Sequence, residues 1–389
     1  MAKSREAPTT PTARFVLARA LFRLLLLILP VALLLGWYST DWGRAFGGSI
    51  SGADLERVQR SRHYNDGSFV NTLPTPMTTG STWTMLWRWG FGGQARHPSG
   101  TLVFPGVEAA TFAASPASGL RLTWLGHSTV LIEIDGQRVL TDPVFGQRTS
   151  PSRWLGPERF FAPPLALTDV PTLDAVVISH DHYDHLDYES IVALGPVTQK
   201  FFVPLGVASH LKAWGVEPAR IVELDWWESA VHAGLEFTAT PARHFSGRGL
   251  TGGNRTQWAA WAIVGDQHRV FFTGDTGYFS EFAEIGKRLG PFDASLVEAG
   301  AYDELWPNIH LGPENAVRVH RDLRAKVLMP VHWGTFNLAF HAWSEPIERL
   351  RALARPGQVK LAQPFPGESF EVSRDLPNST WWKEPDTSE

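Results

Sequence analysis

Residues 178–187, ISHDHYDHLD, place three histidines and three aspartates at the end of the apolar run 175–178. Such a run predicts a buried strand, and the loop after a buried strand is where α/β proteins commonly carry function. His180 and His182 are two residues apart, so their side chains project to the same side of an extended chain. Imidazole and carboxylate ligands without thiolates suit zinc best, with iron and manganese as alternatives. The stretch therefore predicts a metal site.

Three further candidate ligands each follow an apolar run later in the chain. His244 comes after EFTATPAR, Asp275 lies in TGDTGY after the apolar VFF, and His332 follows VLMPV. The glycines near Asp275 allow the backbone to approach a neighbouring element closely. Each residue alone has an ordinary alternative, such as capping a loop or closing a turn. Their repeated position at strand ends predicts the additional ligands that a second metal ion needs.

The composition limits the other classes of function. The chain of 389 residues has no cysteine, 14 histidines and a formal net charge of −4. Disulfides, thiolate zinc sites and cysteine nucleophiles are therefore excluded. The charge does not favour a nucleic-acid binder, which usually carries a basic surplus. A charged fraction of 19% and an apolar fraction of 43% indicate a folded globular protein.

The N-terminal region predicts a membrane anchor. Residues 24–37, LLLLILPVALLLGW, are uncharged, and extending this run back to residue 18 approaches the ~20 residues that cross a bilayer. The basic residues before the run are Lys3, Arg5, Arg14, Arg19 and Arg23. By the positive-inside rule, we expect the N-terminus in the cytoplasm and the catalytic domain on the non-cytoplasmic, periplasmic side. A cleaved signal peptide and a buried globular helix are the alternatives.

The rest of the chain predicts a lead-in followed by a mixed α/β domain. Residues 41–118 are rich in Gly, Ser, Thr and Pro, which is typical of a linker and an irregular, Trp-rich lead-in. In residues 119–389, alternating apolar and polar stretches broken by Gly or Asp-Gly predict strands and hairpins. FSEFAEIGKRLG and PENAVRVHRDLRA predict helices. The predicted organisation is an N-tail and anchor in 1–40, the lead-in, and one α/β domain.

HDHYDH is similar to the HxHxDH signature of the metallo-β-lactamase superfamily, and His244, Asp275 and His332 follow in the order of that family. The chain resembles one branch more closely, the N-acyl-phosphatidylethanolamine-hydrolysing phospholipases D and their bacterial relatives. The phrases that carry this resemblance are HYNDGSFVN, TWLGHST, LTDPVF, SPSRWLGPERF, DAVVISHDHYDHLD, TGDTGYF and VHWGTF. The resemblance spans about residue 60 to about residue 370, and the membrane anchor and the Trp-rich lead-in depart from the family.

The resemblance implies an αββα sandwich, with two facing sheets, helices outside and two zinc ions at one sheet edge. The implied ligands of one ion are His180, His182 and His244, and those of the other are Asp184, His185 and His332. Asp275 would bridge the ions, and Asp184 and Asp275 are the implied catalytic carboxylates. A hydroxide shared by the two ions is expected to attack phosphorus in a phosphodiester, so no serine or cysteine nucleophile is required.

Three more residues are candidate supporting groups. His310, in NIHLGPENA, precedes a predicted helix whose N-terminus favours phosphate oxygens, and it resembles a histidine close to the metals in the phospholipase branch. We expect it to donate a hydrogen bond to the substrate phosphate or the leaving oxygen, with a surface cap as the alternative. His127 and Asp142 are expected to lie behind the ligands and fix their tautomers.

Tryptophan is abundant, with 17 in the chain, and several occur together in STWTMLWRWGFGG. Trp83 and Trp87 are four residues apart and would share a helix face, with Trp89 close by. Because tryptophan favours the membrane–water boundary, this stretch either rests on lipid near the active site or packs in the core.

Three hypotheses for function follow. The first is a phospholipase D-type hydrolase that converts N-acyl-phosphatidylethanolamine to N-acylethanolamine and phosphatidic acid, with a phospholipid and the membrane surface as partners. The second is another hydrolase of the same fold, of the lactonase or β-lactamase type. The third is a non-enzymatic envelope protein stabilised by metal, although structural zinc sites are usually closed and mononuclear. The sequence leaves the acyl-chain preference and a homodimer open.

Overall fold

The computed structural model describes residues 13–38, 41–249, 252–354 and 359–383. The chain forms two compact units, Met1–Ala45 and Phe46–Glu389. The first unit contains the helices α1 (Ala13–Tyr38) and α2 (Asp41–Ala45). Residues 46–118, which were expected to form the irregular lead-in, fall in the second unit together with the sheets.

Helix α1 covers the predicted membrane anchor. Within the described part of the chain, no helix has both the length and the apolar character that crossing a membrane requires. Arg14, Arg19 and Arg23 occur in the first half of α1. The structure therefore does not support the predicted transmembrane anchor, and the non-cytoplasmic location, which depended on it, stays a prediction.

The second unit contains the remaining helices and all strands of the described residues. The helices are α3 (Gly52–Gln59), α4 (Thr82–Phe91), α5 (Tyr188–Leu194), α6 (Ala208–Ala213), α7 (Glu281–Leu289), α8 (Gly312–Asp322) and α9 (Glu345–Leu353). The strands are β1 (Tyr64–Asn65), β2 (Ser68–Phe69), β3 (Leu120–Trp124), β4 (Val130–Ile134), β5 (Gln137–Thr141), β6 (Leu173–Val177), β7 (Thr198–Pro204), β8 (Ile221–Leu224), β9 (Ser229–His232), β10 (Leu235–Thr240), β11 (Ala260–Val264), β12 (Arg269–Phe272), β13 (Ala294–Glu298), β14 (Val327–Val331), β15 (Lys360–Leu361) and β16 (Ser369–Glu371). Helices α7 and α8 correspond to the two predicted from FSEFAEIGKRLG and PENAVRVHRDLRA.

Across the described residues, β1 pairs with β2, and the other strands form two seven-stranded sheets. One sheet has the order β16-β3-β4-β5-β6-β7-β8, and the other has the order β15-β14-β13-β12-β11-β10-β9. Strands β5 to β8 pair in parallel, as do β12 to β15. Because parallel neighbours end on the same side, the loops after β6, β12, β13 and β14 emerge at the carboxyl edges of the sheets.

The two sheets face each other across a hydrophobic core. In β6, Ala175 and Val177 pack between the sheets and Val176 packs on the opposite side, as the two-residue period of a strand requires. Phe202 of β7 and Phe237 of β10 stack with their ring centroids 3.9 Å apart, which joins one sheet to the other. Strands that are covered on both faces read as continuous apolar runs, and this explains the runs in the sequence.

Helices cover the outer faces of both sheets. Ile191 of α5 and Leu211 of α6 belong to the buried cluster around Val176 on the first sheet. On the second sheet, Phe282 of α7 packs edge-on against Phe271 of β12. The layers are helix, sheet, sheet and helix, so the predicted αββα sandwich is confirmed.

Candidate metal centre

The loop 178–187 joins β6 to α5 and carries four of the candidate ligands. Asp187 caps α5, because its carboxylate accepts a hydrogen bond from Ser190 N at 3.1 Å. Between the strand and the cap the backbone turns, with Leu186 N donating to His182 O at 2.8 Å. Since both ends of the loop are fixed to regular elements, its side chains are held in a defined arrangement.

Three imidazoles, those of His180, His182 and His244, form what we call the first ligand group. His182 Nδ1 lies 2.8 Å from His180 Nε2 and 3.4 Å from His244 Nε2. His244 follows β10, and its Nδ1 donates to Ile309 O at 2.9 Å. The Nε2 of His244 therefore has a free lone pair that faces the other two rings.

The second ligand group consists of Asp184, His185, His332 and His127. Asp184 Oδ2 lies 3.2 Å from His332 Nε2 and 3.4 Å from His185 Nε2. It also lies 3.1 Å from His127 Nε2, so His127 is within hydrogen-bond distance of a predicted ligand, and its supporting role stays a prediction. His127 is held there by a contact between loops that are distant in the chain: His332 N donates to His127 O at 3.1 Å.

Asp275 lies between the two ligand groups. Its Oδ2 is 3.1 Å from His185 Nε2, 3.1 Å from His332 Nε2 and 3.8 Å from His244 Nε2. The preceding Gly274 has a φ of +54°, and a Cβ at this position would lie only 2.4 Å from the Ser179 Cβ. Glycine is required for this close approach of two loops, and it lets Asp275 reach a position that both groups share.

Asp142, a predicted supporting residue, follows β5 and is fully buried. It accepts hydrogen bonds from Ser179 N at 2.7 Å, from Ser179 Oγ at 2.6 Å and from His185 Nδ1 at 2.6 Å. Burial raises the pKa of the Asp142 carboxyl, and the hydrogen bond from His185 opposes this rise. Because the Nδ1 of His185 donates to Asp142, its Nε2 remains free to act as a ligand.

Glu298 and His310 extend the centre beside Asp275. Glu298 is the last residue of β13 and is fully buried. Its Oε1 accepts from Thr276 N and Leu311 N, both at 2.9 Å, and its Oε2 lies 2.8 Å from His310 Nδ1. His310 Nδ1 is in turn 3.9 Å from Asp275 Oδ2. The sequence interpretation missed Glu298, although its position at the end of the apolar run ASLVE was the available signal.

Charge is distributed unevenly in this buried cluster. Burial lowers the pKa of His180 and His244 well below their ordinary value. For His332, burial also lowers the pKa, but the charge of Asp275 and the hydrogen bond to Asp184 outweigh it and raise the pKa to about 10. Burial alone would raise the pKa of Asp275, yet charged imidazoles hold it well below its usual range. Positive charge is therefore favoured between the carboxylates, where metal ions can replace protons.

The residues present fit a pair of metal ions. His185 Nε2 and Asp275 Oδ1 are buried, and neither forms a hydrogen bond among the described residues. Such atoms are costly unless a ligand satisfies them. His180, His182 and His244 offer ligand atoms within 4.8 Å of one another, and so does the second group. Imidazoles and carboxylates without thiolates fit zinc, iron or manganese.

A comparison with protein families agrees with this geometry. The family model described as a β-lactamase superfamily domain matches residues 137–333, which include the predicted ligands and about half of the chain. The chain belongs to the β-lactamase superfamily. This membership, together with the His and Asp clusters, supports a metal-dependent hydrolase.

Relatives in sequence and structure extend the comparison. An uncharacterized protein of Mycobacterium tuberculosis is 47% identical over 348 residues, which cover 85% of this chain and 91% of that protein. The N-acyl-phosphatidylethanolamine-hydrolyzing phospholipase D 1 of Caenorhabditis elegans is 40% identical over 249 residues, covering 61% of this chain and 70% of the relative. A solved isothiocyanate hydrolase from Delia radicum gut bacteria matches with a TM-score of 0.52 and 20% identity, over 64% of this chain and 98% of the other. At that identity, the structural match shows the shared fold alone.

The structure brings together all the site residues that were predicted from the sequence. The seven predicted metal ligands line the two ligand groups and the position between them, and His310 and Asp142 lie directly beside them. That these seven residues bind metal ions stays a prediction. Glu298 is the residue that the structure adds.

Proposed function

We propose that this chain is a zinc-dependent phosphodiesterase of the phospholipase D type. Its substrate would be N-acyl-phosphatidylethanolamine, and its products N-acylethanolamine and phosphatidic acid. The observation that carries the proposal is the position of Asp275 Oδ2, which is 3.1 Å from His332 Nε2 and 3.8 Å from His244 Nε2. Two adjacent ligand groups that share a carboxylate suit an in-line displacement at phosphorus. The similarity to the Caenorhabditis elegans enzyme supports a phospholipid as the substrate.

The two ligand groups would each hold one zinc ion, with Asp275 common to both. When bound, zinc polarises phosphoryl oxygens and lowers the pKa of water toward about 7, which supplies a nucleophile at neutral pH. The buried imidazoles and carboxylates keep the ions in a fixed position, and the low polarity around them strengthens their attraction for a phosphodiester. The bond from phosphorus to the ethanolamine oxygen then breaks while an oxygen from water joins phosphorus.

His310 is the residue that we assign to the departing oxygen. Burial, aided by the charge of Asp275, raises the pKa of Glu298 well above its ordinary value, which favours the protonated carboxyl. Because its Oε1 accepts from Thr276 N and Leu311 N, the proton is on Oε2 and is donated to His310 Nδ1 at 2.8 Å. The proton of His310 is then on Nε2, which can donate a hydrogen bond to the leaving oxygen while that oxygen takes up the proton released by the attacking water.

Parallel assays of N-acyl-phosphatidylethanolamine, a lactone and a β-lactam test the proposal. We expect N-acylethanolamine and phosphatidic acid from the first substrate, no turnover after chelation, and recovery with zinc. In water enriched in heavy oxygen, the label should enter phosphatidic acid and not N-acylethanolamine, because the bond to phosphorus is cleaved. His232→Ala, on β9 and outside the ligand groups, is the matched control for His310→Ala. Turnover of the lactone or the β-lactam alone would contradict the proposal.

A further inference from the structure

Helix α4 presents an exposed apolar surface to solvent. Trp83, Leu86, Trp87 and Phe91 are 81%, 57%, 67% and 72% exposed, and we call these four residues the α4 stripe. Leu86, Trp87 and Phe91 follow Trp83 by three, four and eight residues, so the four lie along one side of the helix. The rings of Trp87 and Phe91 contact each other at a centroid distance of 4.7 Å. The alternative that these tryptophans pack in the core is therefore wrong.

The opposite side of α4 is fixed to the loop between β13 and α8. Arg88 Nη1 donates to Asp303 Oδ1 at 2.7 Å, and its guanidinium carbon lies 5.0 Å from the centroid of the Phe340 ring. Just before the helix, Thr79 N donates to Leu305 O at 2.7 Å. These contacts hold the helix in one orientation and keep the α4 stripe directed away from the domain.

The α4 stripe lies beside the route to the candidate metal centre. The loop that anchors α4 continues to His310, which is hydrogen-bonded to Glu298 in the centre. After α4, Arg96 lines a cavity whose wall also includes His332, a member of the second ligand group. The segment that follows α4 therefore borders a cavity that reaches the second ligand group.

The surroundings of the α4 stripe carry little unpaired charge. Residues 67–107 contain no aspartate or glutamate, and of their two arginines Arg88 is paired with Asp303. Exposed tryptophans on a segment of low charge match the polar–apolar boundary of a phospholipid bilayer. An exposed apolar patch of this kind marks an interaction site.

We propose that the α4 stripe docks the enzyme on a phospholipid bilayer, with Trp83, Trp87 and Phe91 inserted at the headgroup level. The inference rests on the proposed function, because a phospholipid substrate is held in such a bilayer. Docking through α4 would bring the cavity that Arg96 and His332 line toward the lipid surface. The substrate headgroup would then reach the ligand groups without leaving the interface.

Single-cysteine probes test the docking in the full-length chain. The chain has no cysteine, so Trp87→Cys can be labelled with an environment-sensitive fluorophore at one position. Val231→Cys, at a residue that is 73% exposed on the edge strand β9, is the control. With vesicles of phosphatidylethanolamine and phosphatidylglycerol, we expect a blue shift and quenching by spin-labelled lipid at position 87 and no change at position 231.

Three outcomes would overturn the docking. One is a fluorophore at position 87 whose emission does not change when vesicles are added. Another is an equal change in emission at position 231. The third is a blue shift without vesicles that grows with protein concentration, which would show that a second copy of the chain covers the stripe.

A kinetic comparison links the docking to function. Replacing Trp83, Trp87 and Phe91 together by serine should lower hydrolysis of vesicle-bound substrate by about tenfold or more, because the lost apolar contacts weaken attachment. Hydrolysis of a soluble, short-chain phosphodiester should stay within about twofold, since effective concentration and not chemistry is changed. Val231→Ser should affect neither rate, and an equal fall on both substrates in the triple variant would contradict docking. If the wild-type chain hydrolyses neither substrate, the proposed function fails, and the probe at position 87 still decides the docking.

Discussion

Replacing Asp142 with asparagine would test how the metal centre orients its ligands. Asp142 accepts from Ser179 N at 2.7 Å through one oxygen and from His185 Nδ1 at 2.6 Å through the other. In Asp142→Asn, the amide oxygen can keep the bond to Ser179 N while the amide nitrogen faces His185 and donates to its Nδ1. The ring proton of His185 would then move to Nε2, the atom that faces Asp184 and Asp275. A protonated Nε2 cannot bind a metal ion.

The expected losses of zinc affinity and of unfolding free energy follow from the buried hydrogen bonds of Asp142. Loss of a tautomer-fixing partner typically weakens metal affinity by about 10- to 100-fold, or about 1.4–2.8 kcal/mol. The asparagine nearly preserves the shape, so the metal-free protein should lose only about 1–3 kcal/mol of unfolding free energy. Asp142→Ala is the contrasting variant, because it leaves three buried donor groups unpaired. Its metal-free form should lose about 3–6 kcal/mol.

Two measurements separate the effect on metal affinity from the effect on stability. Zinc titration against a competing chelator gives the affinity of each site, and urea unfolding in excess chelator gives the stability of the metal-free protein. We expect Asp142→Asn to weaken one of two zinc sites while the unfolding free energy of the metal-free protein falls by no more than about 1–3 kcal/mol. Binding of zinc by Asp142→Asn at wild-type affinity would refute the tautomer argument. An affinity loss accompanied by the stability loss expected for Asp142→Ala would show a structural effect instead.

The remaining predictions concern the same centre and one histidine outside it. Chelation should release about two transition-metal ions per chain together with activity, and one ion per chain in active protein would contradict a shared Asp275. Asp275→Ala should lower kcat/KM more than His310→Ala, because it removes a ligand from both groups; near-normal turnover would disprove this. Glu298→Gln should keep most activity, because the glutamine amide can still donate to His310 Nδ1. Glu298→Ala removes that donor and should lower kcat by about 10²- to 10³-fold. A strong loss of activity in Glu298→Gln would show that Glu298 is ionised. Burial, with the charge of Arg321, lowers the pKa of His320 to about 4, so folded His320 stays neutral while the unfolded chain binds a proton below ~6.5. The unfolding free energy should therefore fall by about 3 kcal/mol from this group as the pH drops from ~6.5 to ~4, and urea titrations of His320→Gln should lack that fall.

The ligand loop could be predicted from the sequence because its ligands are neighbours in the chain. His180, His182, Asp184 and His185 fall within six positions, so local backbone geometry alone brings them together. Asp275 follows a strand that is covered on both faces, and such strands read as apolar runs with visible ends. The chemistry of the centre was therefore available before any tertiary contact was known.

The tertiary structure decided which strand ends meet. Glu298 ends the run ASLVE as an ordinary polar residue would, and it reaches Thr276 in the loop of Asp275 because β12 and β13 pair in parallel and end at one edge. His127 comes within reach of Asp184 because its loop contacts the loop of His332.

The N-terminal segment and the tryptophans also separate what the sequence determined from what the tertiary structure decided. The apolar composition of residues 24–37 suggested a membrane span, but the described helix does not meet the combined requirement of length and apolar character. The spacing of Trp83 and Trp87 determined that they share a helix face, while their exposure depended on which elements pack beside α4. A sequence by itself determines side-chain chemistry and local periodicity, because both depend on residues a few positions apart. Contacts between distant residues were decided only by the tertiary structure, because they depend on how whole sheets and loops pack.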